Sequence, residues 1–242
     1  MRDAAAPTAL PPVVVFAYDF PHRKTQDVLL RLFLDGVRVD AVLAAPRVAL
    51  SIPAPSVRTK VRGAQALHPR DVAARLGADY VVLAHDGPEI GRVLAERAPS
   101  LGVIGGARIL PREVIEAFAV GVLNLHPGLI PEVRGLDALL WAVRGDHPLG
   151  VTAHLVDERV DAGAVLATET IRVAQDDTPF DLSEKLYHAQ LGLLRPALER
   201  AVSGERLDVT YEGHPYNRKM PAELEAETLA ALPGYLRRHA SS

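Results

Sequence analysis

The chain has 242 residues, of which 48% are apolar and 24% are charged, a composition typical of a globular protein and not of a disordered or collagen-like one. Lys and Arg number 27 against 30 Asp and Glu, and the net charge of −3 disfavours nucleic acid or an anionic membrane as a partner. The sequence has no Cys, which excludes disulfides, thiolate metal sites and a Cys nucleophile and fits a cytoplasmic location. No apolar run approaches the roughly 18 residues of a membrane-spanning helix.

Strands and helices are predicted to alternate along the first half of the chain. Residues 1–12 are rich in Ala and Pro and are expected to form a loose tail, and the β-branched run at 13–17 predicts a buried strand. Helical spacing over 25–35, with Gly36 as a left-handed cap, precedes a second strand at 37–45. Further helices are predicted at 69–76, 89–97 and 112–118, and strands at 80–84, 103–104 and 121–126. This alternation predicts an α/β protein, a mainly parallel sheet with helices on both faces.

The second half adds a predicted hairpin and two longer helices. A helix is expected to end near Arg144, two extended segments at 150–156 and 164–173 to pair, and a long helix to cover 179–203. We therefore predict a catalytic domain over 13–205 and a C-terminal appendage over 206–242. The appendage is expected to contain a strand at 207–211, a turn and a helix at 221–239.

The segment from Asn124 to Pro127 carries the residues best suited to chemistry. Because side chains two positions apart on a strand share a face, Asn124 and His126 can point toward one reacting atom. Pro127 favours an extended conformation for His126, at the carboxyl end of its strand, where ligands bind in open α/β sheets. An amide and an imidazolium form a donor pair for an oxyanion, and Asp161, in a polar turn, is the candidate acid.

Several short motifs occur in a fixed order around this segment. They are Ala107-Arg108-Ile109-Leu110-Pro111, Asn124-Leu125-His126-Pro127-Gly128-Leu129-Ile130-Pro131, Arg134-Gly135, Trp141-Ala142, Gly150-Val151-Thr152-Ala153-His154 and Asp161-Ala162-Gly163. In this order and spacing the sequence resembles the folate-dependent formyltransferases, over roughly residues 13–204 and most strongly over 105–163.

The resemblance implies a Rossmann-like domain that moves a formyl group from 10-formyltetrahydrofolate, a co-substrate, to an amine. It implies that Asn124 and protonated His126 stabilise the tetrahedral oxyanion, while Asp161 supports the imidazolium and a water that carries the amine proton. It also implies a cis bond between Ile130 and Pro131. The residues implied to contact the folate are Arg108, Ile109, Leu110, Ile115, Asp157, Glu158 and Asp161.

Departures from the family pattern narrow the expected acceptor. Gly128 stands where the family usually has Ser, which is expected to widen the acceptor side of the site. Residues 18–24 lack the Gly-rich phosphate loop of the glycinamide ribonucleotide enzymes, and only 38 residues follow Gly204, where the methionyl-tRNA enzymes have a basic domain. These differences favour a small-molecule amine, such as an amino-sugar nucleotide or an amine of specialised metabolism.

Other interpretations stay open at this stage. The same residues could hydrolyse 10-formyltetrahydrofolate, or the protein could bind folate without turnover. Basic side chains at 58, 60 and 62 on a predicted mobile loop at 45–62, together with Arg23 and Lys24, could meet an anionic acceptor, although solvated charges are the commoner explanation. No metal site is expected, because the His and acidic residues lack the spacing of metal ligands. His154 is interpreted as a structural residue. A homodimer is weakly favoured.

Overall fold

A computed structural model describes residues 10–49, 57, 66–158, 161–214 and 216–240 of the chain. The strands are β1 (Val13–Tyr18), β2 (Val39–Ala45), β3 (Asp79–Val82), β4 (Leu101–Ile104), β5 (Gly121–His126), β6 (Gly150–Leu155) and β7 (Val165–Thr170). The helices are α1 (Arg23–Leu34), α2 (Pro69–Leu76), α3 (Glu89–Arg97), α4 (Arg112–Glu116), α5 (Ala138–Arg144), α6 (Pro179–Ser203) and α7 (Ala222–His239).

The strands form one sheet in the order β3-β2-β1-β4-β5-β6-β7. The pairings of β1 with β2 and β4, of β2 with β3 and of β4 with β5 are parallel, whereas β6 and β7 pair antiparallel. This arrangement of strands and helices confirms the predicted α/β class with a mainly parallel sheet.

The chain divides into two compact units. The first contains the described residues up to Pro46, together with Ala66–Leu123 and Arg195–Glu205. Its centre is β1, which has a parallel neighbour on each edge and is buried along its apolar run, as expected where helices cover both faces of a parallel sheet. The second contains the described residues of Arg47–Gln65 and Asn124–Leu194 and those from Arg206 onward. The predicted division at residues 12 and 205 therefore stays a prediction.

Local sequence explains where several elements begin and end. The side chain of His22 accepts a hydrogen bond from the Thr25 N–H at the start of α1. Gly36 (φ 70°) adopts the left-handed conformation just after α1, as predicted, and Gly77 (φ 68°) does the same just after α2. The predicted hairpin is formed by β6 and β7, and the two predicted long helices correspond to α6 and α7.

One predicted element is absent. Residues 207–211 form no strand, so that part of the predicted appendage is wrong. The first of them contacts the sheet edge, where the Leu207 N–H donates to the Val165 carbonyl at 2.8 Å. Farther along the chain, isolated β-bridges join Asn217 to Gly135 and Ala240 to Val173. The predicted tail up to residue 9, and Arg58, Lys60 and Arg62 of the predicted mobile loop, lie outside the described residues.

Candidate active site

The carboxyl end of β5 supplies two of the predicted site residues. Along this strand Leu125 and His126 are buried and Asn124 is half-buried, and Pro127 follows directly. Extended backbone puts Asn124 and His126 on the same face, as the sequence predicts. Asn124 and His126 contact different residues, and those residues complete the candidate site.

Both ring nitrogens of His126 face acceptor atoms. Nε2 lies 2.8 Å from the carbonyl oxygen of Val133, and Nδ1 lies 3.5 Å from Oδ2 of Asp161. A carbonyl oxygen only accepts, so Nε2 carries a hydrogen, and a second hydrogen on Nδ1 would face the carboxylate. The surroundings of the ring thus fit an imidazolium, the charge state expected of an oxyanion-stabilising group.

Asp161 contacts the loop after β5 and a second histidine, His154, in addition to His126. Its Oδ2 accepts from the Gly135 N–H at 3.1 Å, and its Oδ1 lies 3.5 Å from Nε2 of His154. Burial by itself would raise the pKa of Asp161, but the hydrogen bond to His154, the electrostatic interactions with His126 and His154 and the hydrogen bond from the Gly135 N–H together lower that pKa below its ordinary value. The side chain is therefore a carboxylate at neutral pH.

His154, on β6, is the member of the site that sequence reasoning set aside as structural. Its side chain is fully buried, with Nε2 3.2 Å from Nδ2 of Asn124 and Nδ1 3.2 Å from the carbonyl of Leu155. Asn124, His154, Asp161 and His126 consequently form one continuous polar cluster, which we call the Asp161 cluster. The signal in the sequence was a His within the Gly150–His154 motif, on the strand that follows β5.

A second group of contacts holds the loop after β5. The Thr152 hydroxyl donates to the Gly128 carbonyl at 2.7 Å and accepts from the Ile130 N–H at 3.0 Å. The bond between Ile130 and Pro131 is cis, as the resemblance implied. In the loop held by these contacts, the Val133 carbonyl lies next to the His126 ring.

Gly128 does not open the site as expected. A Cβ at this position would lie 2.6 Å from the Val133 carbonyl oxygen and 2.8 Å from Nε2 of His126. The expectation of a widened acceptor side is therefore wrong, because the Val133 carbonyl occupies the space that a side chain would need. Glycine at this position permits the contact between His126 and Val133.

The first unit contains a separate cavity of about 360 Å³ lined by two of the predicted folate residues, Arg108 and Ile109. Ala45, His85 and Asp86 complete its lining; Ala45 is the first residue of the predicted loop at 45–62, whereas His85 and Asp86 were not selected from the sequence. Burial lowers the pKa of His85, whose Nε2 contacts the Leu43 carbonyl at 2.9 Å. The cavity thus combines apolar surface, a neutral imidazole and two charged groups.

The other predicted folate contacts differ in exposure. In the first unit Leu110 is buried and Ile115 is half-buried on α4. In the second unit Asp157 is half-buried and Glu158 is exposed, just before Asp161. Their contact with folate stays a prediction.

Across the described residues, no group of three or more His, Asp or Glu side chains is arranged to hold a metal ion. None of the helices in that part of the chain has the length and apolar character needed to cross a membrane.

Comparisons with known proteins agree on one family. A model of the formyl transferase family matches residues 48–198. Methionyl-tRNA formyltransferase of Chlorobium limicola is 41% identical over 95 residues, which cover 39% of this chain and 30% of that protein. The same enzyme of Myxococcus xanthus is 37% identical over 122 residues, covering 49% of this chain and 38% of that protein. The alignments thus span only about a third of these curated relatives.

Solved structures with a similar fold include two kinds of formyltransferase. A sugar N-formyltransferase from a Shewanella species has a TM-score of 0.59 at 17% identity, covering 90% of this chain and 86% of its own. A phosphoribosylglycinamide formyltransferase from Anaplasma phagocytophilum has a TM-score of 0.60 at 21% identity, covering 80% and 88%. At these identities the likeness establishes the fold.

Proposed function

The chain belongs to the formyl transferase family, and from that premise we propose that it transfers the formyl group of 10-formyltetrahydrofolate to the amine of a small molecule. The observation that carries this proposal is the Asp161 cluster. One carboxylate faces His126 with one oxygen and His154 with the other, and His154 contacts Asn124. An amide and a charged imidazole are thereby held at the carboxyl end of one strand, where a reacting carbonyl would lie.

In the proposed reaction the acceptor amine attacks the formyl carbon, and a bond from carbon to the acceptor nitrogen forms. His126 and Asn124 donate hydrogen bonds to the oxyanion that develops. For His126 this means that Nε2 exchanges the Val133 carbonyl for the oxyanion. The intermediate then breaks its bond to the folate nitrogen, the acceptor nitrogen loses one proton and the folate nitrogen gains one.

The role proposed for Asp161 follows from its charge. Because its pKa is lowered, Asp161 is a weak base at neutral pH, and its carboxylate, which faces Nδ1 of His126, is proposed chiefly to stabilise a positive charge on that ring. We therefore assign the transfer of the amine proton to a water beside the carboxylate. Donors positioned in advance for an oxyanion are typically worth about 10²–10³ in rate each.

The cavity in the first unit is the proposed site for the pteridine ring. Apolar walls with few polar groups suit a flat heteroaromatic ring, and Ile109 offers an exposed apolar side chain there. Arg108, His85 and Asp86 provide hydrogen-bonding groups for the ring edge. These side chains would bind and orient the co-substrate, and Leu110 and Ile115 stay in the proposal as supporting residues.

The acceptor is proposed to be a small amine such as an amino-sugar nucleotide. The net charge of −3 supports a small acceptor over a nucleic acid, and the fold resembles that of a sugar N-formyltransferase over 90% of the chain. The name of the curated relatives suggests methionyl-tRNA as the competing acceptor. Cytoplasmic location and homodimerisation stay predictions.

A screen of amines with 10-formyltetrahydrofolate tests the function. Tetrahydrofolate formation would be followed for amino-sugar nucleotides, free amino sugars, amino acids and hydroxylamines, with methionyl-tRNA and an amine-free reaction as separate arms. We expect product only with a small amine. Equal release of formate with and without amine would show that the protein is a hydrolase and not a transferase. Product only with methionyl-tRNA would contradict the proposal of a small acceptor. Folate binding without turnover would indicate a binding protein and not an enzyme.

A further inference from the structure

The chain beyond α6 returns to the Asp161 cluster. We call residues 207–220 the C-terminal segment. Within it, the hydroxyl of Tyr211 donates to the Gly163 carbonyl at 2.6 Å, and the guanidinium carbon of Arg134 lies 5.1 Å from the centre of the Tyr211 ring. Tyr211 therefore contacts one residue close after Asp161 and one residue next to Gly135, the backbone donor to Asp161.

The turn that carries Asp161 needs such support. Asp161 has φ of 49°, a left-handed conformation that costs energy for a residue with a side chain. Gly163 is packed so closely that a Cβ there would lie 1.8 Å from the Leu155 carbonyl oxygen. The Tyr211 hydroxyl binds the outward carbonyl of this same glycine. The turn is thus held by β6 on one side and by Tyr211 on the other.

The loop that donates to Asp161 is held by the same segment. The Asn217 N–H donates to the Arg134 carbonyl at 3.0 Å, and the Leu136 N–H donates to the Asn217 carbonyl at 2.9 Å. The Arg134 guanidinium also donates to the His214 carbonyl at 3.2 Å. These bonds flank Gly135, whose N–H points at Asp161. A Cβ on Gly135 would lie 2.2 Å from the Asn217 oxygen, so the approach of the two backbones requires glycine.

We propose that Tyr211 is a positioning residue for Asp161. Its hydroxyl fixes the turn that carries the carboxylate, and its ring packs on the arginine beside the amide that binds the carboxylate. Tyr211 lies outside residues 48–198, the part of the chain that matches the family model, so this function belongs to the C-terminal segment. The consequence for turnover rests on the proposed function, whereas the consequence for the Asp161 carboxylate does not.

Loss of the hydroxyl is expected to act on Asp161 through its surroundings. The groups facing Asp161 are His126 on β5, His154 on β6 and the Gly135 N–H of the loop. Their geometry lowers the pKa of Asp161, so a looser turn raises that pKa toward its ordinary value. The His126 imidazolium is then supported less well, which lowers kcat and leaves KM for both substrates unchanged.

Tyr211→Phe tests the proposal, and Tyr235→Phe is its matched control. Tyr235, on α7, also donates its hydroxyl to a backbone carbonyl, that of His147 at 2.7 Å. The carboxyl carbon of Asp161 would be titrated by ¹³C NMR in the full chain without substrates, and kcat and KM measured separately. Trp141 is the one tryptophan and donates to the Arg218 carbonyl at 2.9 Å, so its emission reports whether the C-terminal segment stays docked.

We expect Tyr211→Phe to move the Asp161 titration to higher pH and to lower kcat by about threefold to tenfold, the rate equivalent of one hydrogen bond, with KM and Trp141 emission unchanged. Tyr235→Phe should change none of these, although it lowers stability. In an Asp161→Asn background, Tyr211→Phe should have no further effect on kcat. This last result separates positioning from a general loss of structure.

Two outcomes overturn the inference. One is an Asp161 titration that is the same in wild type and Tyr211→Phe, and the other is an equal shift in Tyr235→Phe. If no amine is formylated at all, the proposed function fails while the titration still decides the role of Tyr211. If transfer proceeds normally but neither titration nor kcat responds to Tyr211→Phe, only the inference fails.

Discussion

Asp161 and His126 face each other at 3.5 Å in a region where both side chains are largely removed from solvent, with exposures of 12% and 4%. The carboxylate also accepts a backbone N–H from Gly135, so its charge is compensated from two directions. Electrostatic interactions are strong in such an environment because little water screens them. The Asp161 carboxylate therefore favours a positive charge on His126, the group proposed to face the substrate.

Replacing Asp161 by Asn should lower kcat much more than it changes KM. The amide keeps the shape of the side chain but supplies no negative charge to the His126 ring, so we expect a decrease of about 10²–10⁴, the usual range for support of acid–base chemistry. Steady-state kinetics with the best amine of the screen measures this. Asp177→Asn is the control, because Asp177 pairs with Lys185 at 2.6 Å and contacts no member of the Asp161 cluster. A similar decrease in both variants would contradict the assignment.

The stability that Asp161 contributes should be lost in acid. Its pKa is lowered in the folded protein, so the contribution is fully present above the unfolded value of about 3.9 and disappears as pH falls through the folded value. The measurement is the difference in free energy of unfolding between wild type and Asp161→Asn, by denaturant titration at several pH values. It should hold its pH 5 value down to about pH 4 and shrink below that. A difference that grows in acid would mean that the pKa of Asp161 is raised.

His154→Leu should lower both kcat and stability, and its effect on kcat should depend on Asn124. Leucine fills most of the space but leaves the Asn124 amide and one oxygen of Asp161 without their imidazole partner, at a cost of about 1–3 kcal/mol. In a double-mutant cycle with Asn124→Ala, contacting residues typically show coupling of about 0.5–3 kcal/mol. Additive effects of the two changes on kcat would show that His154 does not position Asn124.

Most of the helices and strands could be predicted from local sequence patterns, for physical reasons. Hydrophobic periodicity and glycine caps predicted most elements because a parallel strand buried on both faces and an amphipathic helix each impose a local pattern. Asn124 and His126 were predictable for the same reason, since two positions on one strand share a face. Residues 207–211 had a strand-like pattern but form no strand, because such a pattern does not show whether a neighbouring strand is in place to pair with the backbone.

The remainder of the site depended on contacts distant in the chain. His154 was interpreted as structural because one His on a strand gives no indication of what faces it. Its side chain contacts Asn124 on β5 and Asp161 on the turn between β6 and β7. Gly128 was wrongly predicted to widen the acceptor side of the site. The Val133 carbonyl fills the space beside it, and this carbonyl belongs to a loop of irregular conformation that the sequence does not predict. Tyr211 could not be linked to Asp161 without the fold, since their connection runs through Gly163.

Ile109→Ala should weaken folate binding without changing kcat. Ile109 is 76% exposed in the cavity of the first unit, and covering an aliphatic side chain by a ligand is worth about 1.5–3 kcal/mol, so truncation should raise Kd by about tenfold to a hundredfold. Titration with a non-hydrolysable 10-formyltetrahydrofolate analogue measures Kd. Leu34→Ala is the control, because Leu34 on α1 is equally exposed at 77% but does not line this cavity. Equal affinities in wild type and Ile109→Ala would remove this cavity from the proposal.

Gly128→Ala should destabilise the protein by separating His126 from Val133. The added Cβ would lie 2.6 Å from a backbone oxygen, which cannot rotate away as a side chain can, so the loop has to move at a cost of about 1–3 kcal/mol. Gly192→Ala is the control, since Gly192 lies inside α6 with only a Glu169 oxygen at 3.9 Å, and alanine there should stabilise the helix by about 0.5–1 kcal/mol. Denaturant unfolding of both variants decides the point. Two variants of equal stability would mean that the His126–Val133 contact yields without cost, and the loop after β5 would then be more adaptable than its bonds to Thr152 indicate.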